Sequence, residues 1–101
     1  GRLDNLGSSV PALYSIINAS KDELLENQTS INLIALFDNE EIGSLTYQGA
    51  DSNFFLYHLK RIFTQSIEIV KGEFTEDLYQ RFLAKSYGIS ADLAHAYNPN
   101  Y

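Results

Sequence analysis

The stretch Leu33-Ile34-Ala35-Leu36-Phe37-Asp38-Asn39-Glu40-Glu41-Ile42-Gly43-Ser44 decides how the chain reads. An apolar run ends abruptly in three carboxylates, Asp38, Glu40 and Glu41, and a glycine follows at once. Ile31 to Phe37 has the composition of a strand buried on both faces. Strands of that kind belong to open α/β sheets, whose active sites gather outside the strands' carboxyl ends. Two adjacent glutamates there are costly to hold ionised unless a cation or a shared proton offsets their repulsion. The stretch therefore predicts a central strand that feeds an acidic, cation-seeking loop.

Working outward, the remaining segments predict helices around this strand. Leu6, Val10, Leu13, Tyr14 and Ile17 recur at helical spacing, with Ser8 or Ser9 as candidate cap. Pro11, lacking an amide hydrogen, belongs either in the first turn or at a bend. Lys21 to Ser30 is polar and reads as a surface loop. It holds one glycosylation sequon, Asn27-Gln28-Thr29, and Asn18-Ala19-Ser20 precedes it as another; short patterns of this kind arise by chance. Leu45 to Ala50 reads as a link containing a turn. Asp51 or Ser52 then caps a second helix with Phe55, Leu59, Ile62 and Phe63 inward. Ile67, Ile69 and Val70 fit either the end of that helix or a short strand. Thr75 caps a third helix bearing Leu78, Phe82 and Leu83. Ser86 to Ala91 reads as a second strand ending in Asp92. The order helix, strand, helix, helix, strand predicts a layered α/β fold with parallel strands. Two strands are too few for an independent sheet covered on both faces, so neighbouring strands should exist elsewhere.

Composition narrows the function. The 101 residues suffice for one domain at most, and 45% hydrophobic residues with seven Tyr and six Phe are globular values. A net charge of -6 with only seven Lys and Arg argues against a nucleic-acid partner, which needs a clustered basic surface. No apolar run reaches membrane-spanning length, and the start has no signal-peptide character. Without cysteine, a metal must be held by carboxylate, imidazole or water. Cytoplasmic residence is compatible with that. There is no methionine either, and the chain opens on Arg2-Leu3-Asp4-Asn5 and closes on Asn98-Pro99-Asn100-Tyr101 as if within a loop. It reads as an excerpt of something longer.

The acids that end buried elements are Asp4, Glu40, Glu41 and Asp92. Parallel strands would bring their carboxyl ends together, and a divalent metal commonly offsets converging carboxylates. One reading is a metal site with a spare glutamate as general base; the other is ordinary solvated acids. His95, three residues after Asp92, could be a ligand, a substrate contact or neither. His58, among Leu56, Tyr57 and Leu59, reads as structural or surface. Gly43 and Gly49 do not make a phosphate-cradling loop, and no histidine is placed to activate Ser44.

Three blocks taken together resemble the aspartyl aminopeptidase family of cocatalytic zinc aminopeptidases. They are Arg2-Leu3-Asp4-Asn5; Phe37 to Ser44 with Gln48-Gly49-Ala50-Asp51-Ser52; and Ser90-Ala91-Asp92-Leu93-Ala94-His95-Ala96 with Pro99-Asn100-Tyr101. They occur in the family's order and span essentially the whole chain. The resemblance implies part of a three-layer α/β/α catalytic domain with a mostly parallel sheet. It implies Asp4 as the carboxylate bridging two zinc ions, with Glu41 on one and Asp92 on the other. Glu40 would be the general base for a zinc-bridging hydroxide that attacks the peptide carbonyl. His95 would contact substrate or support the site. The implied substrates are peptides with N-terminal Asp or Glu, and the implied parent is a cytoplasmic homo-oligomer. The family's two histidine ligands and its inserted oligomerisation domain lie outside these residues. Asn98 stands where many members have a second histidine. The excerpt alone should bind zinc poorly and turn over nothing. An inactive homologue serving as an assembly or cargo scaffold is the alternative, although two costly adjacent acids speak against it. A calcium module would need regularly spaced oxygen ligands that the chain lacks.

Overall fold

In the computed structural model, residues 1–21, 27–97 and 99–100 are described. The expected surface loop over 21–30 therefore lies partly outside the described residues, as do Asn98 and Tyr101. The backbone falls into two compact units. One comprises Gly1–Leu36 with Ile89–Tyr101, the other Phe37–Gly88.

The first unit carries helix α1, Leu3–Ala19. Its apolar residues recur every three or four positions, which is why it is helical, yet none of them is buried. Ser8 and Ser9 are not its cap. Both lie inside the helix, and the Ser9 hydroxyl donates to the Asn5 carbonyl one turn back at 2.8 Å. Arg2 occupies the cap position without a side-chain bond, and Pro11 sits within the helix. Asp4 (φ -85°, ψ 112°) and Asn5 (φ -113°, ψ 30°) depart from helical angles, so regular winding begins only after them.

The two expected strands are absent. Neither 31–37 nor 86–91 forms a strand, and the described residues contain helices and turns but no sheet. The α/β assignment, with its three layers and parallel sheet, is thus corrected to an all-helical arrangement for this chain. The physical reason is pairing. An apolar run becomes a strand only when a neighbour takes up its amide and carbonyl groups, and among the described residues neither run has one. The side chains follow suit: Leu36 is 61% exposed and Ile89 79%.

The second unit is built on helix α2, Phe54–Ile69, and helix α3, Glu76–Ala84. Phe63 of α2 is buried against three rings, Phe82 at 4.5 Å, Tyr79 at 5.6 Å and Phe74 at 6.3 Å between centroids. Tyr79, buried to 5% exposure, is the inward residue of α3 that periodicity overlooked in favour of Leu78, which is 37% exposed. Thr75 caps α3 as expected, its Oγ1 accepting the Leu78 amide at 3.1 Å. Ile67 and Ile69 belong to α2, which settles the open choice there. The helix then stops through two reversed bonds, Lys71 N–H to the Glu68 carbonyl and Gly72 N–H to the Ile67 carbonyl, both 2.9 Å. This is a Schellman stop, with Lys71 (φ 56°) in the left-handed position that usually takes glycine. Lys60 bonds Glu76 at 2.8 Å and lies 5.3 Å from the Tyr79 ring centre, lashing α2 to the start of α3.

Candidate metal centre

Glu40 and Glu41 open a short 3-10 turn, Glu40–Ile42, in the second unit. The turn is framed by backbone in the left-handed region, at Asn39 (φ 63°), Gly43 (φ 92°) and Ser44 (φ 60°). Asn39 holds it from two sides. Its carbonyl accepts the Ser44 amide at 3.0 Å, and its Oδ1 accepts the Thr46 hydroxyl at 2.7 Å. The link that follows folds back, with the Asp38 amide reaching the Gln48 carbonyl and the Asp51 amide reaching the Ser44 carbonyl. Gly49 is buried where a Cβ would overlap that Ser44 carbonyl, so the close return of the link requires a residue without a side chain. Ser52, one of the two expected caps, accepts the Phe54 amide at 3.2 Å and starts α2, although Asn53 occupies the cap position. The acidic pair is thus presented, exposed, on a turn cross-braced by hydrogen bonds.

Asp4 and Asp92 belong to the first unit, and both are exposed. The Asp4–Asn5 peptide bond is cis. The segments that carry them meet although 86 positions separate the touching residues: the Asn5 side-chain amide donates to the Ala91 carbonyl at 2.8 Å. A second contact lies two residues further along each segment, where Leu93 Cδ1 sits 3.0 Å from the place a Gly7 Cβ would occupy. Asp92 lies between these two ties, and its Oδ1 accepts the Leu93 amide at 2.8 Å. His95 is exposed three residues on, and His58, as read from the sequence, sits on α2 with Nδ1 2.8 Å from the Phe54 carbonyl.

The structure therefore joins the segments of Asp4 and Asp92 in one unit and holds Glu40 beside Glu41 in the other. Among the described residues no three His, Asp or Glu side chains converge as a complete metal cage. The donor chemistry nevertheless suits zinc, which takes carboxylate oxygen and imidazole nitrogen. The described ion pairs, Lys60–Glu76 and Arg81–Asp77, leave Asp4, Glu40, Glu41 and Asp92 unengaged by cations. Sequence reading missed Asn5 and Asn39 as braces; for Asn5 the reason is that a bond across 86 residues leaves no mark on local spacing.

Comparison with known proteins matches these blocks to one family. A family model described as aminopeptidase I zinc metalloprotease (M18) matches residues 1–101. An aspartyl aminopeptidase of Aspergillus oryzae is 44% identical over 101 residues, covering 99% of this chain and 20% of that protein. Aspartyl aminopeptidase 4 of Saccharomyces cerevisiae is 40% identical, covering 100% of this chain and 21% of its own length. A probable aspartyl aminopeptidase of Ricinus communis is 41% identical, with 100% and 20% covered. The chain spans about a fifth of the length of the curated relatives it matches. No solved structure matches it. With its whole length matched, the chain belongs to the M18 family of zinc metalloproteases.

Proposed function

We propose that the protein carrying this chain is a zinc-dependent aminopeptidase that releases N-terminal Asp or Glu from peptides. The match of the M18 family model to every residue of the chain carries this reading. The acidic preference rests on the names of the relatives, which are aspartyl aminopeptidases. We read the 101 residues as part of a catalytic domain in which Asp4, Glu41 and Asp92 would be the carboxylates that hold zinc. Zinc there supplies Lewis-acid polarisation of the scissile carbonyl and a lowered pKa for water.

The chain's own residues do the remaining work. Glu40 accepts a proton from the attacking water at a carboxylate oxygen and returns it to the nitrogen of the leaving amine. A glutamate suits both steps when the brace on its turn keeps the carboxylate within reach of each. Glu41, its neighbour, adds negative charge that draws cations towards the turn. His95 contacts substrate or supports the site. The same reading carries a cytoplasmic homo-oligomer, which sedimentation velocity would measure. No helix among the described residues is long and apolar enough to cross a membrane.

The test uses the full-length protein and an aspartyl chromogenic amide. Release of the chromophore should stop on chelation and return with added zinc. Hydrolysis that persists after complete zinc removal, or a zinc-loaded protein that releases nothing, would overturn the reading.

A further inference from the structure

We propose that Asn5 is a positioning residue for the metal centre: its side-chain amide, bonded to the Ala91 carbonyl, fixes the backbone carrying Asp4 against the backbone carrying Asp92. The inference rests on the zinc peptidase reading above. It starts from the order of residues at the junction. Asn5 directly follows Asp4, and Ala91 directly precedes Asp92, so a 2.8 Å bond between the two sets how the two carboxylate-bearing residues lie relative to each other. Leu93 resting on the bare backbone of Gly7 is the second point of attachment. Two points, one either side of Asp92, stop its segment from pivoting about a single bond.

The other end of the same side chain shows what the tie is for. Asn5 Oδ1 is shut away from water and meets no hydrogen-bond donor among the described residues. A neutral hydrogen bond lying at the surface, as the one to Ala91 does, returns little stability. An enclosed carbonyl oxygen left unpaired costs more than one such bond returns. An asparagine here is therefore a poor device for stabilising the fold. What it delivers is geometry, and a metal bridged or held by two carboxylates is sensitive to that. Groups that orient metal ligands without touching the metal commonly change affinity ten- to a hundredfold when removed.

The experiment compares Asn5→Asp and Asn5→Ala with wild type in the full-length protein. Asn5→Asp keeps the shape but replaces the donor with an oxygen that faces the Ala91 carbonyl. Zinc affinity is read by competition with a chromogenic chelator, and the thermal midpoint is measured separately on the metal-free proteins. We expect the more weakly held zinc to bind at least about tenfold less tightly in both variants, with metal-free midpoints unchanged. Wild-type affinity in either folded variant overturns the proposal. So does a fall in the metal-free midpoint with affinity retained, or failure of both variants to fold, since each makes Asn5 a residue of stability. If wild type binds zinc and hydrolyses the aspartyl amide while the variants match its affinity, only this inference fails. If wild type binds no zinc, the peptidase reading fails and takes the inference with it.

Discussion

Phe63→Ala should open the α2–α3 pair while leaving the rest of the protein folded. Phe63 is 7% exposed and touches the rings of Phe74, Tyr79 and Phe82, so it is the residue on which the aromatic cluster closes. A buried phenylalanine removes roughly 150–250 Å² from water. At about 25 cal/mol per Å² that amounts to around 4–6 kcal/mol, part of which the alanine methyl retains. Truncation of buried Phe to Ala typically costs about 3–5 kcal/mol. The surrounding rings of Phe74 and Phe82 are only half-buried and can settle into the space, so the lower end, about 3 kcal/mol, applies here. Since about 1.4 kcal/mol is a factor of ten, local opening should become roughly a hundredfold more frequent. Hydrogen exchange read by mass spectrometry on peptides from 54–84 of the full-length protein measures this directly, and Phe63→Leu should lose far less. Exchange within about threefold of wild type in the alanine variant would refute the idea that this cluster holds the two helices together.

Two further outcomes follow from the same pair of helices. Lys71→Gly relieves a left-handed residue at the Schellman stop of α2. Relief of about 1–2 kcal/mol of backbone strain, less the added freedom of glycine when unfolded, leaves a gain of up to about 1 kcal/mol, visible as slower exchange at the end of α2. The Lys60 hydrogen bond, aided by its charge, holds the Glu76 carboxyl below the usual carboxylate range. A depressed folded-state pKa contributes stability above the unfolded value and loses it as pH falls through the folded one. In Lys60→Met the Glu76 carboxyl should titrate higher, back towards the ordinary range, as followed by carbon NMR; an unchanged titration would show that Lys60 is not the cause.

The helices were legible because their apolar residues recur at the helical period, and Thr75 was legible because a β-hydroxyl before two acids is a cap signal. Ile31 to Phe37 misled for a definite reason. Composition says that a segment is apolar, but strand formation depends on a partner's hydrogen-bonding groups, which the segment itself does not encode. Tyr79 was hidden because Leu78 and Tyr79 both lie about one turn before Phe82, and the expected stripe took Leu78 where the observed face takes Tyr79. At the site, Asp4, Glu40, Glu41 and Asp92 stood out through three ordered blocks, whereas Asn5 did not. Its partner is 86 residues away, and an asparagine beside an acid has no distinctive spacing.

The most direct measurement of the proposed chemistry is steady-state turnover of an aspartyl amide by the full-length Glu40→Gln variant, alongside its zinc content. Glutamine keeps the size of the side chain on its braced turn but accepts no proton. Zinc content should match wild type while kcat falls by roughly 10²–10⁴-fold, the usual contribution of a general base. Turnover at the wild-type rate with zinc in place would contradict the assignment of Glu40 as the proton carrier.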